Sequence, residues 1–252
     1  MVIIDSPSDE HMLTKGIARL VLRLKEESEL SSKTVGKILD ESRIEESDLI
    51  PYAVFDHSPD LGYGRKLVHR SDTCEIMVMT WCANDMSAIH DHGYTQWGAV
   101  QVFGRALHQM FSFYDNRLSK GKTEWLEDRQ IIRVYHFLIH QMANSSAEKI
   151  LSLHVYGVND SCSGITDNAR IFDVIHQQVF STTGGAFIHL AEGQEYTQPN
   201  KIEIDETVLA EQARLMLPYL QRLSPKFGND LILKLSSSLR QLAFRSGHAV
   251  LP

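Results

Sequence analysis

Between about residues 9 and 48, apolar positions recur with the period of a helix: Ile17, Leu20, Val21 and Leu24 fall at i, i+3, i+4 and i+7. The same period predicts a second, shorter helix over Ser32–Glu41, with Ser32 ahead of Lys33-Thr34-Val35 as its N-cap. From Tyr63 the pattern changes to short strand-like runs at 66–68, 75–81, 98–103, 107–114, 131–137 and 150–155. Turn formers such as Ala83-Asn84-Asp85 and Asp115-Asn116-Arg117 separate them. Closely spaced antiparallel strands of this kind predict a sandwich or barrel with the first helices on one face or end of a sheet. The segment 204–244 reads as two helices broken near Ser224-Pro225, and Leu209, Ala213, Leu217 and Leu220 give it an apolar stripe. That stripe either packs on the barrel or pairs with a second copy of the chain.

Period-two alternation is clearest in Leu151-Ser152-Leu153-His154-Val155-Tyr156, which sets Leu151, Leu153 and Val155 on one face and Ser152, His154 and Tyr156 on the other. The polar row either meets water on an outer face or lines a cavity, where burial would require hydrogen-bond partners. The same alternation turns His90 and His92 of Ile89-His90-Asp91-His92 to one side of an extended strand, so that two imidazoles can grip one metal ion. Asp91 between them faces away, toward a supporting role. His136 shares a strand face with His140 and is an alternative ligand, whereas His108, His176 and His189 have no motif around them.

Composition narrows the classes. The 252 residues are 43% hydrophobic, enough for one sizeable core. A formal charge of −7 argues against nucleic acid, whose binding rests on basic surface. No apolar run approaches the ~20 residues of a membrane span, and the first residues lack a basic segment followed by an apolar one. Cys74, Cys82 and Cys162 are odd in number and show no CxxC spacing, which fits a reducing compartment. A cytoplasmic protein is expected, without nucleic-acid or membrane partners.

His90-x-His92, then Gly104, then His140-x3-Asn144 has the spacing of the two cupin motifs, and the chain resembles the cupins in this. The resemblance implies a mainly β fold, an antiparallel double-stranded β-helix barrel, to which the helical periodicity adds N-terminal helices and a C-terminal helical extension. The expected division is a barrel domain with the N-terminal helices, 1–200, and the extension packed on it, 201–252. The resemblance also makes His140 the third ligand. The usual cupin carboxylate would fall near Gln96 or Trp97, neither acidic, so a site of three histidines is expected instead of the 2-His-1-carboxylate triad. Neutral imidazoles leave the metal its full positive charge, which favours an anionic ligand such as a thiolate.

More narrowly, five stretches in order are similar to the cysteine dioxygenases and their bacterial thiol dioxygenase relatives. They are Tyr52-Ala53-Val54-Phe55-Asp56, Tyr63-Gly64-Arg65-Lys66-Leu67-Val68, Ile89-His90-Asp91-His92, Ile139-His140-Gln141-Met142-Ala143-Asn144 and Ser152-Leu153-His154-Val155-Tyr156. The likeness implies a mononuclear Fe(II) held by His90, His92 and His140, with O2 as co-substrate. It further implies a Ser152-His154-Tyr156 relay whose tyrosine hydroxyl reaches substrate and oxygen, and an Arg65 that holds the substrate carboxylate. The product would be a sulfinic acid, with L-cysteine as the leading small thiol. Some relatives that prefer 3-mercaptopropionate use an arginine after the His-x-Tyr strand, and Arg170 is the candidate for that reading. Counted without gaps, the cysteine that cross-links to tyrosine in the animal enzymes falls at Trp97, so no Cys-Tyr cross-link is expected; Trp97 is instead a candidate wall of the substrate pocket. A cupin that binds zinc or nickel without oxygenase activity is the competing class. A monomer, or a homodimer through the C-terminal helices, is the expected assembly.

Overall fold

A computed structural model describes residues 13–161, 164–190, 193–227 and 237. The predicted face of Ile17, Leu20, Val21 and Leu24 is buried on α1, Lys15–Glu26. Helix α2, Ser32–Glu41, is capped by Ser31, whose side chain accepts the Thr34 N–H, and not by Ser32. The Ser32 hydroxyl instead donates to the Val134 carbonyl and accepts the Gly98 N–H, which ties α2 to the sheet beneath it. A short α3, Glu46–Leu49, completes the N-terminal helices.

Thirteen strands follow among the described residues: β1 Gly64–Arg70, β2 Cys74–Trp81, β3 Ile89–His90, β4 Trp97–Phe103, β5 Ala106–Tyr114, β6 Arg117–Leu126, β7 Ile131–Tyr135, β8 Ile139–Ala143, β9 Ile150–Gly157, β10 Ala169–Asp173, β11 Gln178–Thr182, β12 Asn200–Lys201 and β13 Glu203–Ile204. They form a five-stranded sheet in the order β1-β2-β9-β4-β7 and an eight-stranded sheet in the order β12-β11-β10-β3-β8-β5-β6-β13. The pairing is antiparallel except between β13 and β6. Together they make the mainly β cupin barrel.

Four layers result. Helices α1 and α2 cover the outer face of the five-stranded sheet and share a core with Val78, Trp97, Ala99, Leu151, Leu153 and Val155. The inner faces of both sheets meet in a second core that holds Tyr63, Met77, Trp81, Val100, Met142 and Tyr156. Helix α4, Glu206–Phe227, lies on the outside of the eight-stranded sheet, where its Leu209, Ala213, Met216 and Leu220 bury against Phe111, Ile139 and Phe172. The apolar stripe of the described helix is thus covered by its own barrel. Polar anchors fix it further: the buried Gln212 amide donates to Gln141, and Arg222 pairs with Asp85.

Several expectations need correction. α4 continues through Ser224-Pro225 with no break, and it also contains Pro218, an exposed position where water can serve the carbonyl that lacks an N–H partner. The expected second helix, to 244, lies outside the described residues, as do the chain before Leu13 and Cys162. Strand β7 stops at Tyr135, and Phe137 stands 86% exposed in the turn that follows. Strands β6, β10 and β11 were not expected; β6 is mostly exposed on both faces and so shows no apolar alternation. Among the described residues no helix is long and apolar enough to cross a membrane.

Candidate active site

Strand β3 is only two residues long, and its His90 stands directly across from His140 on β8. His92 follows just past the strand. There the chain turns through Gly93 at φ +54, where any Cβ would lie 2.0 Å from the Asp167 carbonyl oxygen, so only glycine fits. Asp91 braces the same turn, accepting the Gly93 N–H and the Arg170 main-chain and side-chain N–H groups.

The ring centroids of His90, His92 and His140 lie 4.7 to 5.2 Å apart, and one nitrogen from each falls within 4.8 Å of the others. Each Nδ1 already has a partner: the Ala88 carbonyl for His90, the Leu138 carbonyl for His92 and His108 Nε2 for His140. The two carbonyl partners fix a proton on Nδ1 of His90 and His92, which leaves the Nε2 lone pairs of these two rings for the cluster. Burial first, and then the neighbouring imidazoles for His92 and His140, hold these rings below the usual imidazole range, so all three are neutral. The buried His92 Nε2 has no hydrogen-bond partner. An orphaned lone pair among three neutral imidazoles is what a divalent transition metal would satisfy, so the residues fit a bound metal.

Ser152, His154 and Tyr156 face the barrel interior, and all of β9 is buried, which removes the reading of a solvated outer row. Ser152 Oγ lies 2.8 Å from His154 Nε2, and His154 Nδ1 lies 2.7 Å from the Tyr156 hydroxyl. No motif marks the residue at the outer end of this chain. Trp81 Nε1, which can only donate, lies 2.9 Å from Ser152 Oγ. One order of donors that satisfies this chain runs Trp81 to Ser152, Ser152 to His154 and His154 to Tyr156, and in it the Tyr156 O–H is left to donate into the cavity. Burial, reinforced by His90 and Arg65, lowers His154 to about 3, so it stays neutral. Burial also raises the Tyr156 hydroxyl, which stays protonated.

Part of this array opens on a cavity of about 320 Å³ including its open mouth. His90, His92 and Tyr156 line it together with Arg65, Tyr63, Met77 and Met79 of the first two strands and their approach. Arg65 is buried, and its guanidinium reaches Thr166 Oγ1 at 3.5 Å; the Thr166 hydroxyl donates in turn to the buried Glu75. Arg70 holds the other oxygen of Glu75. The far wall is Thr166, Ala169 and the loop Gly184-Gly185-Ala186, whose Ala186 N–H donates to the Tyr63 hydroxyl.

Two candidate residues lie elsewhere. Arg170 is ion-paired with Asp91 at 2.6 Å, lies over Phe172 and does not line the cavity. Trp97 points into the helix-side core, where its ring packs on Gly157. The residue that β4 presents to the Tyr156 ring is Gly98. Cys74 is buried in the helix-side core, and Cys82 donates to the Phe55 carbonyl. His136 is exposed and hydrogen-bonds the Thr95 carbonyl, away from the three-histidine cluster.

The sequence matches the family described as Cysteine dioxygenase type I over residues 8–162, more than half of the chain. The chain belongs to the cysteine dioxygenase type I family. The match takes in Arg65, the three histidines and the Ser-His-Tyr row, but it ends before Thr166, Ala169 and the 184–186 loop, so this family member draws its far cavity wall from outside the matched region. Among solved structures, the chain is similar to an uncharacterized protein with a double-stranded beta-helix domain from Klebsiella pneumoniae, at 18% identity and a TM-score of 0.38 over 49% of this chain and 90% of that one. A cupin-2 domain protein from Rhodospirillum rubrum matches at 12% identity and a TM-score of 0.33, over 42% and 66%. An oxalate oxidase matches at 11% and 0.39, over 80% and 84%. Likenesses this distant carry nothing about activity.

Proposed function

We propose that this cysteine dioxygenase family member is an iron-dependent thiol dioxygenase that adds both atoms of O2 to the sulfur of L-cysteine, giving the sulfinic acid. The observation that carries the reading is the meeting, at one cavity, of a cluster of three neutral imidazoles, of which His90 and His92 line the wall, with a buried guanidinium and a buried tyrosine hydroxyl. A bound iron would supply coordination positions at which a thiolate and dioxygen come together.

The protein's own groups do the rest. Arg65 pairs with the substrate carboxylate in a site shielded from water, where a charge-assisted pair is strong and directional. Thr166, itself anchored on Glu75, holds that guanidinium at the cavity wall. Tyr156 donates its hydroxyl proton toward oxygen near the sulfur, and the neutral His154, fixed through Ser152 by Trp81, keeps the hydroxyl aimed. Met77, Met79 and the 184–186 loop exclude bulk water.

The commitment of Arg170 to Asp91 favours Arg65 as the carboxylate reader, and with it cysteine over 3-mercaptopropionate. Oxygen uptake by the iron-loaded protein, measured side by side with L-cysteine, 3-mercaptopropionate and cysteamine, tests this. L-Cysteine should be fastest and cysteamine, which lacks the carboxylate, poor. Equal rates for cysteine and cysteamine would remove the guanidinium clamp, and no uptake with any of the three would overturn the small-thiol reading.

A further inference from the structure

Among the three histidines of the cluster, His140 alone is held by another side chain and not by the main chain. Its Nδ1 lies 2.8 Å from His108 Nε2, and the two rings meet nearly edge-on at 82°. His108 Nδ1 lies 3.2 Å from Glu124 Oε1. The sheet register builds this line: His108 on β5 is the cross-strand partner of Glu124 on β6, and on its other side β5 pairs with β8, which carries His140.

The protons can be ordered from the outer end. A carboxylate only accepts, so His108 donates from Nδ1 and accepts at Nε2, and His140 then donates from Nδ1. That is the tautomer in which His140 Nε2 offers its lone pair to the cluster. His108 is 2% exposed, whereas the Glu124 side chain is 23% exposed and also meets Lys122, so the line runs from the surface to the cluster.

We propose that His108 and Glu124 are positioning residues: a carboxylate–imidazole brace that fixes the tautomer and ring orientation of His140 and makes it a stronger donor than His90 or His92, whose Nδ1 protons go to main-chain carbonyls. An imidazole backed by a carboxylate accepts a proton more strongly than a peptide oxygen does, and this enriches the electron density on His140. The proposal rests on the metal-centre reading given above.

The test is Co(II) titration of metal-free protein against a chelator of known affinity, recording the ligand-field absorption, for wild type, His108→Phe, His108→Gln and Glu124→Gln. His108→Phe should weaken Co(II) binding by about 10- to 100-fold and move the absorption bands. His108→Gln, which can accept from His140 and donate to Glu124, should recover most of the loss. Glu124→Gln should weaken binding with the melting temperature of the metal-free protein unchanged, and its partial exposure makes it the informative variant if His108→Phe does not fold. Wild-type affinity and spectrum in Glu124→Gln and in any folded His108→Phe would overturn the brace alone, and so would a loss in His108→Phe that His108→Gln fails to recover. A wild-type protein that binds no Co(II) would overturn the metal-centre reading and the brace with it.

Discussion

Replacing Tyr156 by Phe deletes one hydroxyl from a fully buried chain of four hydrogen-bonding groups and leaves the ring in place. The His154 Nδ1–H, 2.7 Å from that hydroxyl, loses its acceptor. An unsatisfied buried donor costs about 1–3 kcal/mol, so the melting temperature should fall by several degrees while the fold survives. Tyr156 is not among the three clustered histidines, so the iron content should not change. What should change is turnover: a positioned proton donor contributes ~10²-fold or more, equivalent to about 2.7 kcal/mol of transition-state stabilisation. With the carboxylate assigned to Arg65 in the proposed function, KM for L-cysteine should stay close to wild type while kcat falls. The assay is oxygen uptake at saturating thiol and oxygen on protein of measured iron content. Unchanged kcat at full iron loading would refute the assignment of the hydroxyl to turnover.

Arg65→Ala should lower kcat/KM for L-cysteine by more than ~10²-fold, chiefly through KM, since deleting one partner of a desolvated ion pair costs several kcal/mol; steady-state kinetics with cysteine and cysteamine check it, and an equal loss with both thiols would contradict it. His140→Ala should sharply reduce iron content, read by metal analysis against the circular dichroism of the same sample, and full iron occupancy would remove His140 from the ligand set. Burial raises the Cys74 thiol to about 12, so at pH 8 almost no reactive thiolate is present. Mass spectrometry after alkylation of the native protein should therefore find Cys74 unmodified until denaturant is added, and rapid native labelling would contradict its buried placement.

Much of the site was legible because strand alternation is a strong rule. The alternation of 151–156 separated Leu151, Leu153 and Val155 from Ser152, His154 and Tyr156, and the structure turns the first set to the helices and the second to the barrel interior. The spacing of His90, His92 and His140 anticipated a cluster that only strand pairing could bring together. Counting without register failed at Trp97: in β4 it shares the helix-facing side with Ala99, while Gly98 meets Tyr156. The supports of the site had no local signal at all. Trp81 reaches Ser152 across 71 residues, Thr166 reaches Arg65 across 101, and His108 meets His140 across 32, contacts fixed by sheet register and loop packing and not by any motif. Helix ends were blurred for a simpler reason, since Ser31 and Ser32 are equally good caps by residue type and only the packing of Ser32 on Val134 and Gly98 separates them.

Delivery of both atoms of dioxygen to a thiol sulfur in this cavity can be read from the mass of the product formed from L-cysteine under isotopically heavy O2 by the iron-loaded protein. The expected product is a sulfinic acid whose two oxygens on sulfur are both heavy, formed by wild type and absent when His90, His92 or His140 is replaced by Ala. A product with one heavy oxygen, with oxygen drawn from water, or one still formed by the histidine variants would contradict it.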